Sequence, residues 1–167
     1  MKVKTPKEIR EKKARIAEKL KARNLERKTK KQFSRSKLIK EADRVFSLYI
    51  RGRDSWKPCC TCGARWDEWF NCGHFMSRRH YHTRWTINNA HGQCPRDNLY
   101  GAWEQYKHAQ FIDDKYWVGT AQKIHDMAMS TDKISDSELL ETIQNLYRLC
   151  FELWLEYSPK KQFANLW

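Results

Sequence analysis

Acidic side chains are scarce in the first third of this 167-residue chain, and the shortage is local. Residues 1–53 hold 20 of the 33 lysines and arginines but only 6 of the 20 acids, a net of +14 that leaves −1 for the rest. No apolar run approaches the roughly 18 residues that a spanning helix needs, which excludes a membrane span. The amino terminus lacks the apolar stretch of a secretory signal, and its thin stripe of Ile9, Ile16 and Leu20 has no aromatic anchor for a lipid surface. Six cysteines without such a signal imply a reducing, cytoplasmic setting, where thiols ligate metal rather than pair as disulfides. No internal repeat is present. Aliphatic side chains are also few between 54 and 100, too few for that stretch to fold on burial alone.

What is present divides into one domain with appendages: an arm over 1–35, a core over 36–130, and a helix with a tail over 131–167. Residues 6–31 are Lys, Arg, Glu, Ala and Leu, which predicts a long exposed helix. Its Lys28, Lys30 and Lys31, with Arg35 beyond, suit a polyanion such as DNA. A solvated tail is the alternative, and both hold if the arm orders only on nucleic acid. After a break at 32–36, where Ser34 or Ser36 can cap, Leu38, Ala42, Val45, Phe46, Tyr49 and Ile50 recur at helical spacing up to Gly52.

Strands are expected at 70–76 and 84–87, then a helix from Leu99 through Trp103, Tyr106, Lys107 and Gln110, and another over 115–129. The last helix is the clearest. Ser135 and Glu138 form a capping box, Leu139, Ile143, Leu146, Tyr147, Cys150, Leu153, Trp154 and Tyr157 form a stripe, and Pro159 ends it. That stripe is read as core packing against the helix at 37–51, with a dimer interface as the alternative, and Cys150 as an inert core thiol.

Cys59 and Cys62 have the spacing of a zinc knuckle, in which two thiolates on one tight turn face a tetrahedral ion. The second half is broken: Cys94 is followed at the same interval by Asp97. Zinc accepts a carboxylate oxygen, so Cys59, Cys62, Cys94 and Asp97 can close a shell, with Cys60 or Cys72 as substitutes; free buried cysteines are the alternative.

His74 follows Gly73 at the end of an expected strand, and Asn89, His91 and Asn98 flank Cys94. Phosphodiester hydrolysis needs a base for water, a divalent cation at the scissile phosphate, and groups that hold both. Histidine titrates near neutrality, an asparagine oxygen suits Mg²⁺, and a second asparagine can orient the ring. Arg78, Arg79, His80, His82 and Arg84 lie in the intervening loop, where they can contact phosphates; a solvated loop is the alternative. Trp66, Trp69, Trp85 and Trp103 are read as core before base-stacking platforms.

The segments RGRDSWKPCCTCG, NCGHFMSRR, TRWTINNAHGQCPRDN and YGAWEQY resemble the phage NinG (Rap) recombination proteins, within the wider HNH, or His-Me finger, nucleases. The resemblance covers roughly residues 45–125. It implies a mainly helical α+β protein with a zinc-supported, treble-cleft-like ββα-metal core, a basic N-terminal helical arm and C-terminal helices. It implies a structure-specific, metal-dependent endodeoxyribonuclease that cuts branched DNA, including Holliday junctions, and a homodimer to make two symmetric cuts.

By position His74 is then the general base, Asn89 the orienting middle residue, Asn98 a ligand of catalytic Mg²⁺ or Mn²⁺, and Cys59, Cys62 and Cys94 holders of structural Zn²⁺. Two departures stand out: Asp97 replaces a fourth cysteine, and Gly73 stands where many HNH enzymes have a metal-binding carboxylate. Another ligand is therefore needed, with Asp54 and His91 as candidates ahead of Asp67. The competing expectations are an HNH nicking or packaging-associated enzyme without junction preference, and a non-catalytic zinc-stabilised DNA-binding module.

Overall fold

The computed structural model describes residues 15, 18–21, 33–100, 104–155 and 163. The chain divides into two units, Met1–Lys37 and Leu38–Trp167. In the first, Arg15 and residues 18–21 are helical and exposed; the expected helix over the rest of 6–31, with Lys28, Lys30 and Lys31, lies outside the described residues.

Helix α1, Arg35–Arg53, buries Leu38, Ala42, Val45, Phe46, Tyr49 and Ile50, the face that its periodicity predicts. Strand β1, Asn71–His74, pairs antiparallel with β2, Ala90–Gln93, so that His74 faces Ala90 and Gly73 faces His91. Between the strands lie the short helix α2, Tyr81–Arg84, and a 3-10 turn, Ile87–Asn89. Helices α3 (Pro95–Tyr100), α4 (Glu104–Lys115), α5 (Thr120–Ala128) and α6 (Asp136–Glu152) follow. The described chain is thus a mainly helical α+β structure with one small sheet. Among the described residues no helix is long and apolar enough to cross a membrane.

The stripe of α6 packs on α1, as expected. Leu139, Ile143, Leu146, Tyr147 and Cys150 are buried. Tyr147 donates to Glu41 Oε1 at 2.9 Å, Cys150 Sγ lies 3.9 Å from the Val45 carbonyl, and a Cβ on Gly52 would strike Leu155 at 2.6 Å. Ser135 and Glu138 form the full capping box. Burial raises the Cys150 thiol to about 11, consistent with an inert core residue. A second apolar cluster joins Phe75 and Met76 to Ile112 of α4 and Ala121, Ile124 and Ala128 of α5.

Four local expectations need correction. The strand at 84–87 is helix and turn, and the second strand lies at 90–93 instead. Thr83, Trp85 and Thr86 are β-formers by propensity, but Thr83 and Thr86 are spent on turn hydrogen bonds to the His80 and His82 carbonyls. The helix expected over 115–129 is α5 alone; Lys115 closes α4, and Gly119, at φ 88°, makes the turn between them. The helix expected from Leu99 through Gln110 is two, α3 and α4, with Trp103 outside the described residues. Finally, α6 stops at Glu152, well before Pro159, and leaves Trp154 88% exposed with φ 54°. Tyr157 lies outside the described residues.

Candidate metal centre and adjoining cleft

Cys59, Cys62, Cys94 and Asp97 each bring one ligand atom into a group whose members all lie within 4.8 Å of one another. Cys62 and Cys94 sulfurs are 3.8 Å apart, as are Cys59 Sγ and Asp97 Oδ2. A tetrahedron built on Zn–S bonds of about 2.3 Å has edges of about 3.8 Å, so the set could hold a metal such as zinc. The knuckle turn is closed by Gly63 N donating to the Cys59 carbonyl at 2.9 Å, and Gly63 sits at φ 70°, which favours glycine.

Cys94 N donates to Cys59 Sγ at 3.3 Å, and Thr61 Oγ1 donates to Asp97 Oδ2 at 2.8 Å. Arg96 holds the other Asp97 oxygen at 2.9 Å. Phe70 and Trp66 cover the cluster. Three sulfurs and a carboxylate repel one another when ionised, and a central cation removes that repulsion. Cys60 and Cys72, the possible substitutes, stand outside this four-ligand group.

Beside the cluster, α3 carries Asn98 into a cleft of about 290 Å³ whose walls include His74, Gln93, Asp97, Glu104, Gln105 and His108. His74 and Asn98 also share a second, wider recess with Asp43, Phe46 and Arg78. The His74 ring packs 5.6 Å from Phe46, and its Nε2 lies 3.0 Å from the Arg84 carbonyl. A carbonyl only accepts, so Nε2 carries the proton and Nδ1 is the basic nitrogen. Burial lowers the His74 pKa against the opposing pull of the Arg84 and Cys72 backbone, which keeps the ring neutral at pH 7.

The orienting group is therefore a backbone carbonyl, where an asparagine side chain was expected. Asn89 acts one step back. Fully buried, it accepts from Met76 N at 2.7 Å and donates to the Met76 and Thr83 carbonyls at 3.0 and 2.8 Å, pinning both ends of the loop that carries Arg84.

Two other expected site residues, His91 and Asp54, lie elsewhere. His91 adjoins Ala90, the partner of His74, so the two-residue period of a strand turns it to the opposite face of the sheet. There Nδ1 meets His108 Nε2 at 3.0 Å and Nε2 meets Tyr116 Oη at 3.1 Å. Burial, then the charges of His108, Lys115 and Arg53, lower its pKa to about 2. Asp54 is buried and accepts from Arg53, from Gly92 N at 3.0 Å and from Lys57 at 3.3 Å. Burial alone would raise its carboxyl; Arg53, the Gly92 amide and Lys115 outweigh that and hold it at about 2. Asp54 and His91 line a separate pocket, with Phe111 and Lys115, whose walls include neither His74 nor Asn98.

Arg84, read as a phosphate contact, is spent on a bidentate pair with Asp43 at 2.9 and 2.6 Å and on the Arg78 carbonyl at 2.8 Å. His80 and His82 bond to the Ala128 and Asp132 carbonyls. Arg78 and Arg79 are exposed, as are Arg35 and Asp67. Trp85 is buried, Trp66 half-buried and Trp69 72% exposed.

Two residues were missed. Asp43, which also accepts from Trp85 Nε1 at 3.0 Å, has no motif around it. Glu104 has a buried Oε2 with no hydrogen-bond partner among the described residues, a state that costs about 1–3 kcal/mol when uncompensated. Glu104 does stand inside the YGAWEQY segment, but nothing there singles it out.

The family model of the bacteriophage lambda NinG protein matches residues 1–145, most of the chain. The chain belongs to that family. No curated protein and no solved structure matches it.

Proposed function

We propose that this NinG-family protein is a metal-dependent endodeoxyribonuclease of HNH type that cuts branched DNA, Holliday junctions among them, as a homodimer. One observation carries the reading: a carbonyl-held histidine and an asparagine line one cleft beside a cysteine-rich cluster. The family is a phage recombination-associated one, which agrees with a branched substrate. The order β1, β2, α3 is the one a ββα-metal core would need, and in this reading the Cys₃Asp set would hold structural zinc.

In this reading His74 Nδ1 takes the proton of the attacking water. Its tautomer is fixed by the Arg84 carbonyl, and the Cys72 backbone favours the charged ring once it forms. Asn98 would hold a Mg²⁺ or Mn²⁺ ion, which supplies Lewis-acid stabilisation of the departing 3′ oxygen. Asp43 grips Arg84 by its side chain and so positions the carbonyl that holds His74. The basic arm and the exposed Arg78 and Arg79 give sequence-independent, salt-sensitive affinity.

The test compares cleavage of a four-way junction with that of linear duplex of the same sequence, with and without Mg²⁺. Junction cutting should be strongly metal-dependent, and His74→Ala should lower it by about 10²–10⁴-fold. Equal cutting of both substrates would indicate a nicking enzyme without junction preference. Gly73, which offers no carboxylate, favours a second reading as a non-catalytic DNA-binding module. DNA binding without any metal-dependent cutting that His74→Ala removes would establish that reading instead.

A further inference from the structure

A hydrolytic cation in this cleft needs more than one protein oxygen, and the obvious positions are closed. Position 73 is glycine, and the space where its Cβ would stand is occupied by the Gln93 side-chain amide. A carboxylate there would collide with the sheet's own neighbour. Asp54 is committed to Arg53, Gly92 and Lys57 outside the cleft. Asp97, on the cleft wall, is engaged by Thr61 and Arg96 within the cysteine cluster.

Glu104 remains. It is the first residue of α4, its side chain is 15% exposed, and it lines the same cleft as His74 and Asn98. Its Oε1 has only a 3.5 Å contact with the half-exposed Lys107, and its Oε2 is the buried side-chain oxygen left without a hydrogen-bond partner among the described residues. A buried carboxylate oxygen with no donor is an uncompensated feature that a cation removes. Mg²⁺ and Mn²⁺ accept such a site readily: one or two carboxylates with a neutral oxygen, the remaining positions filled by water.

We propose that Glu104 supplies the carboxylate of a hard divalent-cation site in this cleft, with Asn98 as the second oxygen donor. The site rests on the hydrolase reading for what the ion does, but not for its binding. Donor chemistry separates it from the neighbouring cluster. Oxygen donors at 98 and 104 suit Mg²⁺ or Mn²⁺, whereas the three sulfurs at 59, 62 and 94 suit zinc. The two ions therefore load independently.

The test titrates Mn²⁺ into the zinc-loaded full chain without DNA and follows free Mn²⁺ by electron paramagnetic resonance. The unaltered protein should bind one Mn²⁺. Glu104→Gln should weaken that binding by at least about ten-fold, as expected for loss of a charged ligand. Asn98→Ala should weaken it less, and His74→Ala should leave it unchanged. Zinc stoichiometry and far-ultraviolet circular dichroism confirm that each variant is folded. If Glu104→Gln does not fold, Glu104→Asp carries the test, since it keeps the charge but withdraws the oxygen by one methylene and should also weaken binding.

Binding by the folded Glu104 variant as tight as that of the unaltered chain overturns the proposal. So does the absence of any Mn²⁺ site in the unaltered chain. A helix-end role for Glu104 alone is exposed by a thermal midpoint lowered equally with and without Mn²⁺, which also overturns it. If Mn²⁺ binding depends on Glu104 while His74→Ala leaves DNA cutting untouched, the hydrolase reading fails and the cation site stands.

Discussion

Helices α1 and α6 bury Leu38, Val45, Phe46, Leu139, Ile143 and Leu146, all at most 3% exposed, whereas the segment 54–100 keeps its shape with almost no aliphatic side chains. In the helical pair, Tyr147 donates to Glu41 across the interface. In the cysteine segment the order is reversed. Donors and acceptors set the geometry: Asn89 clips the loop, Arg53 reaches the Ile87 and Ala90 carbonyls at 3.0 and 2.8 Å, and four ligand atoms converge against two aromatic rings, Phe70 and Trp66, rather than an aliphatic core. A stripe of apolar residues tolerates swaps that conserve volume. A set of directed bonds does not, and that suits a place where atoms must be held within tenths of an ångström.

The sharpest way to break the comparison is to strip the cysteine cluster of any metal it holds. Structural zinc sites in small peptides contribute about 10–16 kcal/mol in apparent binding energy, as much as the whole stability of a typical domain. Chelation, or Cys94→Ser, should therefore abolish amide-exchange protection at the knuckle, β1 and β2 before α1 and α6. Unchanged protection in a chain shown by mass spectrometry to be metal-free would refute the contrast.

Next in size, Ile143→Ala should cost about 2–5 kcal/mol in urea unfolding. It should cost the same with and without zinc, because the helical pair does not draw on the cluster.

Proton uptake gives a smaller effect with a defined sign. Burial and then the charge of its neighbours hold His91 at about 2 and His108 at about 4, below the ordinary value of about 6.5. Above pH 6.5 neither the folded nor the unfolded chain binds these protons, and stability is complete. Below it the unfolded chain binds them and the folded chain does not, so stability should fall by up to about 1.4 kcal/mol per pH unit for each ring. For His108 the loss levels off near pH 4. Urea midpoints between pH 6.5 and 4.5, compared with those of a His91→Gln/His108→Gln variant, measure the slope, which the double replacement should flatten.

Smallest is the cap. Ser135→Ala should cost about 1 kcal/mol and fray the start of α6 without any change in the metal content.

The same contrast explains what could be read from the chain before it was folded. The apolar stripes of α1 and α6 and the Ser135 cap repeat at helical intervals, so their partners follow from spacing alone. Cys59, Cys62, Cys94 and Asp97 are legible for a similar reason, since ligand spacing is itself a geometric statement. The rest depended on register. Ala-His-Gly-Gln carries no β-branched residue, so β2 gave no signal, and without its pairing nothing showed that His91 and His74 point to opposite faces. Gly92 is small because Asp54 lies behind it; a Cβ there would approach the Asp54 Cβ at 3.1 Å. Asp43 and Glu104 stand alone in the sequence. Their meaning arises only when α1 and α4 bring them beside residues more than thirty positions away or into a shared cleft.

Trp56 offers an optical handle on this architecture. Its backbone is left-handed, at φ 67°, its indole is 83% exposed, and it lies 4.8 Å from Trp66, which itself covers the cysteine cluster. Two indoles at that separation couple excitonically, so their joint near-ultraviolet signal responds to any change of tilt between them. Zinc has no spectrum of its own, but Trp66 packs on the cysteines that would hold it, so any tilt of that ring on loading would register in the indole pair's near-ultraviolet signal.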